Sequence, residues 1–266
     1  MATSTSARIG RSGRLAPADS AVAPTSDNIA KFRTACTTCN LRELCPPCCR
    51  LTRSELDVAN RLEFNRSRVR RGETLYRTGD SFTSLYAVRT GFFKSTVQLE
   101  DGRRDQVTGF SMAGEVLGMD GIGPGRQTCT TVALEDSVVC AIPYAKLQEL
   151  AHEIPSLQHQ FRKMMSREIV REHGVMLLLG SMNAEERVSM FLLNISKRLA
   201  ANGYSPSEFN LRMKREEIGS YLGLKLETIS RIFSRFQEEG LIVVKQKSMR
   251  ILHSAGLERV MGRDPG

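Results

Sequence analysis

Short apolar runs separated by glycines occupy the chain from about residue 68 to residue 125. Ten of the 21 glycines lie between Gly72 and Gly125, and they divide apolar runs such as 84–88 and 91–95. A further alternating run at 137–142 ends at Pro143. Many short strands with regularly spaced turn signals are typical of a small barrel or roll. The pattern therefore predicts a β-roll over residues 51–154.

Helical periodicity replaces this pattern after Pro155. Apolar side chains then recur at spacings of three and four, with one carboxylate among them, which is typical of helices that pack along their length. The stripe is too apolar to lie in water alone, so it packs either on its own roll or against a second copy. We predict one helix over 155–181 and a dimer seam formed by Phe161, Met165, Ile169, Glu172, Met176 and Leu179.

Two amphipathic helices close to the C-terminus are predicted at 215–222 and 226–239. The three residues between them include Gly223, which can adopt the positive φ that a tight turn requires. Apolar runs at 241–244 and 249–252 then predict a two-stranded wing. This order and spacing is that of a winged helix-turn-helix, whose second helix enters the major groove of DNA.

The outward face at the start of that second helix carries Glu227, Ser230 and Arg231, which project together because they are three and four residues apart. Arg can contact guanine through two hydrogen bonds, Glu can accept one from cytosine, and Ser can contact several base edges. The alternative is an ordinary solvated helix face. Basic residues nearby are predicted to contact phosphates: Lys225, Arg235, Lys245 and Lys247.

The formal net charge of +9 over 266 residues favours a polyanionic partner, and double-stranded DNA agrees with the helix pair. A merely basic protein would carry the same charge, so the motif decides. No apolar run reaches the roughly 18 residues of a membrane span, and the N-terminus lacks the apolar region of a signal peptide. The four histidines lack metal-ligand spacing, and no catalytic motif is evident. We therefore predict a cytoplasmic protein that is not an enzyme.

Five of the seven cysteines crowd into residues 36–49. Clustered thiols indicate metal binding or redox sensing, whereas a secreted disulfide framework spreads an even number of cysteines through the domain. Cys36, Cys39 and Cys45 form C-x2-C-x5-C, and Cys48 extends the pattern to four thiolates that could bind zinc. The residues alone leave a zinc site, an iron–sulfur cluster and a set of disulfide-forming thiols open.

The helix-turn-helix segment resembles a known family. Residues 217–224 read EIGSYLGL and residues 227–231 read ETISR. Together they are similar to the recognition motif of the Crp/Fnr superfamily, and E-x-x-S-R is typical of its oxygen-responsive Fnr (fumarate and nitrate reductase regulator) branch. In that branch the matching Glu, Ser and Arg read an inverted repeat of TTGAT, four bases and ATCAA. The resemblance implies an α+β fold with a cyclic-nucleotide-binding-like β-roll, a long dimerisation helix and a C-terminal winged helix-turn-helix.

The same resemblance implies a ligand set for the thiols. Fnr proteins carry C-x2-C-x5-C near the N-terminus and a fourth cysteine at the end of the roll, which here is Cys140. Cys36, Cys39, Cys45 and Cys140 would then hold a [4Fe-4S] cluster, with zinc as the alternative. Crp-like relatives instead bind a cyclic nucleotide through a Gly-Glu and a later Arg. Gly114-Glu115 is present, but the arginine position falls on Gln127, so a cyclic-nucleotide-gated regulator is the alternative function.

These predictions divide the chain into a disordered tail (1–30), a cysteine-rich cluster-binding segment (31–50), the roll (51–154), the dimerisation helix (155–181) and the winged helix-turn-helix (182–266). The predicted function is a global transcription regulator that is active as a homodimer under low oxygen, while its cluster is intact. Glu172 would make the dimer conditional if it faced its twin, because like charges repel. The loop at 100–105 is the predicted contact with RNA polymerase.

Overall fold

The computed structural model describes residues 65–98 and 105–262. Its first part consists of strands β1 (Asn65–Val69), β2 (Thr74–Tyr76), β3 (Ser84–Thr90), β4 (Phe92–Gln98), β5 (Asp105–Met112), β6 (Val116–Leu117), β7 (Thr130–Ala133) and β8 (Ser137–Pro143). They form two four-stranded antiparallel sheets, in the orders β1-β8-β3-β6 and β2-β7-β4-β5. The predicted β-roll is confirmed, including its last strand.

The two sheets close over an apolar core. Val88 and Val139 of the first sheet and Phe93 of the second belong to one buried cluster, and all three are fully inaccessible to water. Burial alternates along β8 from Ser137 to Val139, as it does in a strand with one face on the core.

Three helices follow the roll: α1 (Tyr144–Glu153), α2 (Pro155–Ser181) and α3 (Ala184–Ala201). Pro155 is the first residue of α2, where its missing N–H costs nothing. The helix passes through Gly174 without a break, as predicted for 155–181. The sequence did not predict α1, which covers the first sheet with Leu147 and Leu150.

The C-terminal part contains β9 (Glu208–Asn210), α4 (Arg215–Leu222), α5 (Leu226–Glu238), β10 (Ile242–Lys245), β11 (Ser248–Ile251) and α6 (Ser254–Val260). The three strands form one antiparallel sheet in the order β10-β11-β9. This is the predicted winged helix-turn-helix, with β9 and α6 in addition. Its core cluster continues into the roll through Phe92 and Phe110, so the two parts share buried apolar surface.

Candidate nucleic-acid interface and thiol site

Two glycines define the turn between α4 and α5. Gly223 has φ 64°, a left-handed conformation that side chains with a Cβ rarely adopt. Gly219 lies against the turn so closely that a Cβ there would be 2.6 Å from the carbonyl oxygen of Leu224. Both positions need glycine, and together they set the angle at which α5 leaves α4.

The predicted recognition residues share the outer face of α5. Ile229, Phe233 and other apolar residues of this helix are buried in the domain core. Glu227 and Arg231 are exposed and Ser230 is half-buried. An exposed face with three different polar groups at the start of a helix that the core holds firmly can enter the major groove.

Arg215 of α4 reaches the recognition face of α5, and the sequence did not predict this. Its Nη1 donates a hydrogen bond to Ser230 Oγ at 3.3 Å, and its guanidinium carbon lies 5.5 Å from the centre of the Phe233 ring. The sequence feature that could have indicated Arg215 is a basic residue at the first position of α4. Arg215 therefore adds a cation next to the recognition residues.

The predicted phosphate contacts fall into two groups. Lys225 directly precedes α5, and Lys245 and Lys247 lie at the tip of the wing; all three are exposed. Arg235 is engaged instead, because its Nη1 lies 2.5 Å from Glu185 Oε1 and its Nε 2.8 Å from Glu239 Oε1. The hydrogen bond to Glu239 and the charge of Glu185 raise the pKa of Arg235. A phosphate contact by Arg235 would have to replace these carboxylates.

Helix α4 lies directly on strand β5 of the roll. Ser220 Oγ accepts a hydrogen bond from the Val107 amide at 2.9 Å, and the Tyr221 ring meets the Phe110 ring edge-on at 5.3 Å. Burial raises the pKa of Tyr221. These contacts join the helix-turn-helix to the roll across more than a hundred residues of sequence, so the direction of α5 depends on the roll.

Cys140 is half-buried in β8, and its neighbours on the two adjacent strands are Arg66 of β1 and Ala87 of β3. The other three predicted ligands, Cys36, Cys39 and Cys45, lie outside the described residues. The described chain begins at Asn65, which pairs with Ala141. The first described residue is thus paired next to Cys140, and Cys45 precedes it by 20 residues in the sequence.

Within residues 65–98 and 105–262, no group of three or more His, Cys, Asp or Glu side chains could hold a metal ion. A metal site at Cys140 thus needs donors from outside these ranges. Cys129, by contrast, is buried between the sheets, and burial raises the pKa of its thiol to about 11.

The predicted seam residues of α2 divide into two sets. Ile169 and Met176 expose 55% and 70% of their surface, and Met165 and Leu179 are also exposed. Phe161 is different, because it is half-buried with its ring 6.2 Å from that of Tyr144 in α1. Phe161 therefore packs on α1 of its own chain, and the periodic stripe did not distinguish it from the exposed residues.

Glu172 is exposed, and its Oε1 lies 4.0 Å from Arg171 Nη2 within the same helix. A cavity of about 400 Å³ separates this part of α2 from the roll. Its lining includes the carboxylates of Asp120, Glu168 and Glu172 and the guanidinium of Arg171. Burial raises the pKa of Glu168, although Arg171 opposes this. An anionic ligand would meet more negative than positive charge here.

Among the described residues, no helix is long and apolar enough to cross a membrane. A roll joined by a long helix to a winged helix-turn-helix defines the class of two-domain DNA-binding transcription regulators. Residues 66–153 match the family of cyclic nucleotide-binding domains, and residues 186–260 match the Crp-like helix-turn-helix domain. The chain belongs to the Crp/Fnr family.

Two relatives are similar over most of their length. The chain is 45% identical over 230 residues to the transcriptional regulatory protein btr of Bordetella pertussis, covering 86% of this chain and 94% of that protein. It is 41% identical over 227 residues to the fumarate and nitrate reduction regulatory protein of Escherichia coli K12, covering 85% and 90%. The solved structure of FixK2 from Bradyrhizobium japonicum is 28% identical and covers 77% of this chain and 99% of that chain, with a TM-score of 0.68. The chain is therefore an Fnr-like, DNA-binding transcription regulator, and its relatives are regulators rather than enzymes.

Proposed function

We propose that this protein is an oxygen-sensing transcription regulator of the fumarate and nitrate reduction type. It would act in the cytoplasm as a homodimer that binds DNA while a [4Fe-4S] cluster is intact. The observation that carries the proposal is the position of Cys140. The half-buried thiol lies beside β1, the first described strand, and the segment with Cys36, Cys39 and Cys45 precedes β1 in the sequence.

The donor chemistry fits such a cluster. Four cysteine thiolates are the usual ligands of [4Fe-4S] clusters, and Cys36, Cys39, Cys45 and Cys140 supply that number. When bound, the cluster would supply an oxygen-sensitive linkage between the N-terminal segment and the roll. The protein's part is to present Cys140 at the surface of the first sheet, where Arg66 and Ala87 hold its strand on both sides.

DNA binding would use two copies of the recognition face. Glu227, Ser230 and Arg231 would read the half-sites of a TTGAT, four-base, ATCAA repeat, because Arg pairs with guanine and Glu with cytosine. Lys225, Lys245 and Lys247 would contact phosphates. Two recognition helices must enter grooves one helical turn apart, which requires a dimer.

The dimer would form along α2. Ile169, Val170, Met176 and Leu177 each expose more than half of their surface. A second copy of the helix would remove this apolar surface from water, and burying one such side chain fully contributes about 1.5–3 kcal/mol. RNA polymerase would contact the loop at 100–105, of which residues 100–104 lie outside the described ranges.

The test is anaerobic purification of the full chain, followed by iron, sulfide and zinc assays and a DNA shift before and after exposure to air. Cys140→Ser should lose iron and DNA binding. Cys129→Ser is the matched control and should keep both, because Cys129 lies between the sheets. Zinc without iron, or DNA binding that air does not change, would overturn the proposal.

A second candidate is a cyclic-nucleotide-gated regulator. Residues 66–153 match the cyclic nucleotide-binding domains, and the roll has a cavity of about 400 Å³. Two features oppose this candidate. The cavity is lined by carboxylates that would repel a phosphate, and Gln127 stands where Crp-like relatives have the phosphate-binding arginine. A rise in DNA affinity on adding cyclic AMP to the aerobic protein would favour it over oxygen sensing.

A further inference from the structure

The carboxylate of Glu115, in the Gly114-Glu115 pair, is bound by side chains of the chain's own helices. Glu115 lies in the turn between β5 and β6, and Arg198 of α3 binds its carboxylate through two hydrogen bonds. Arg198 Nε donates to Oε1 at 2.8 Å and Nη2 donates to Oε2 at 2.6 Å. Arg198 Nη2 also donates to the carbonyl oxygen of Phe110 at 2.6 Å. The carboxylate is thus engaged by a residue of α3, the helix that precedes the C-terminal part.

A second arginine approaches Glu115 from the long helix. Arg171 Nη1 of α2 lies 3.7 Å from Glu115 Oε2, and Arg171 also pairs with Glu168 one turn earlier. Burial lowers the pKa of Arg171, but the charges of Glu168 and Glu115 outweigh it, so the pKa is raised and the group stays charged. Glu115 therefore touches cations from both α2 and α3.

Glu115, Arg171 and Arg198 are shielded from water, so each charge needs the others for compensation. The side chains of Glu115, Arg171 and Arg198 expose only 24%, 33% and 19% of their surface. The Met112 amide also donates to Glu115 Oε2 at 3.1 Å, which ties the carboxylate to the end of β5. Removing one partner from a shielded pair leaves the others without compensation, which costs more than the loss of a surface pair.

Glu115 contacts β5, α2 and α3. A signal from the roll has to pass through these elements to reach the recognition helix. Strand β5 also holds α4 through Val107 and Ser220, and α2 carries the exposed apolar stripe. Helix α3 packs in one core with α5, whose outer face carries Glu227 and Arg231. We propose that Glu115 is a positioning residue that fixes the recognition helix relative to the roll and α2, instead of binding a ligand in the roll.

Glu115→Gln keeps the shape of the side chain and removes its charge. It should weaken binding of a TTGAT-N4-ATCAA duplex about tenfold, within the 5- to 150-fold range that is typical of coupled sites. Arg198→Gln should do the same. The double variant should lose less than the sum of the two single losses, because both substitutions remove the Glu115–Arg198 pair. Glu149→Gln, which removes an exposed carboxylate on α1, is the matched control.

Calorimetry of the full chain, without iron, provides a readout that does not depend on oxygen sensing. The wild type and Glu149→Gln should unfold in one transition, and Glu115→Gln should show the roll and the DNA-binding part unfolding separately. Purely additive losses in DNA affinity, or one unchanged transition in Glu115→Gln, would overturn the positioning role. Neither outcome bears on iron content, so failure of this proposal is distinguishable from failure of the proposed function.

Discussion

Lys94 Nζ lies 2.7 Å from Glu217 Oε1, and this ion pair joins strand β4 of the roll to the first helix of the helix-turn-helix. The two side chains expose 24% and 14% of their surface. Glu217 has a second task, since its Oε2 accepts a hydrogen bond from the Lys214 amide at 2.7 Å and so caps α4. One carboxylate thus begins the helix and holds it on the roll.

Lys94→Met should lower the free energy of unfolding by about 1–2 kcal/mol, because it leaves a shielded carboxylate with one partner fewer. Urea denaturation measures this. Lys146→Met is the control, because its partner Glu149 is largely exposed and such pairs contribute about 0–1 kcal/mol. Equal effects of the two substitutions would contradict the role given to Lys94.

Base readout and phosphate contact predict different behaviour for two exposed cations. Arg231→Ala should weaken binding to the inverted repeat by about 1–3 kcal/mol and relax the preference for one base pair in each half-site. Lys247→Ala should weaken binding to all sequences alike. It should also reduce the slope of log K against log salt concentration by about one, because one fewer phosphate is neutralised. Competition with substituted duplexes at several salt concentrations separates them. A uniform loss for Arg231→Ala would remove it from the readout set.

Two glycine substitutions should act in opposite directions. Gly219→Ala brings a Cβ to 2.6 Å from the Leu224 carbonyl oxygen, so the turn has to shift and DNA binding should be lost. Gly174→Ala meets nothing within 4 Å inside α2 and should raise the stability of the helix by about 1 kcal/mol. Thermal unfolding and a DNA shift test both. Normal DNA binding by Gly219→Ala would show that the turn adapts.

Cys129 should be the least reactive described thiol. Burial raises its pKa to about 11, so at pH 8 it stays protonated, and the thiolate is the reactive form. The stability that this raised pKa contributes is present below the pKa of the unfolded thiol and is lost as the pH rises through about 11. Alkylation followed by peptide mass mapping should label Cys129 only after denaturation. Rapid labelling of native protein at pH 8 would contradict this.

Glu172→Ala tests the proposed control of dimerisation by oxygen. The exposed carboxylate lies on the same helix as Ile169 and Met176, so its twin in a dimer would repel it. The variant should dimerise in air at least about tenfold more tightly than the wild type, or ~1.4 kcal/mol. Sedimentation in air measures this, with Glu149→Ala as the control. An unchanged monomer–dimer equilibrium would separate Glu172 from the switch.

The sequence by itself determined the elements whose signals are local. The alternation in Ser137–Pro143, the continuous helix Pro155–Ser181 and the turn at Gly223 follow from the period of apolar residues and from the φ that glycine allows. The proposed recognition residues could be grouped for the same reason, because spacing along a helix places Glu227, Ser230 and Arg231 on one face. The motif then gave the family.

Tertiary structure alone decided which distant groups meet. Glu115 meets Arg198 across 83 residues, and Ser220 meets Val107 across 113. Phe161 fits the periodic stripe of α2, yet it packs on α1, since periodicity defines a face and does not say what covers it. Likewise, the pairing of β1 with β8 is what places Arg66 beside Cys140. Such contacts depend on how sheets and helices pack, and a local pattern carries no information about them.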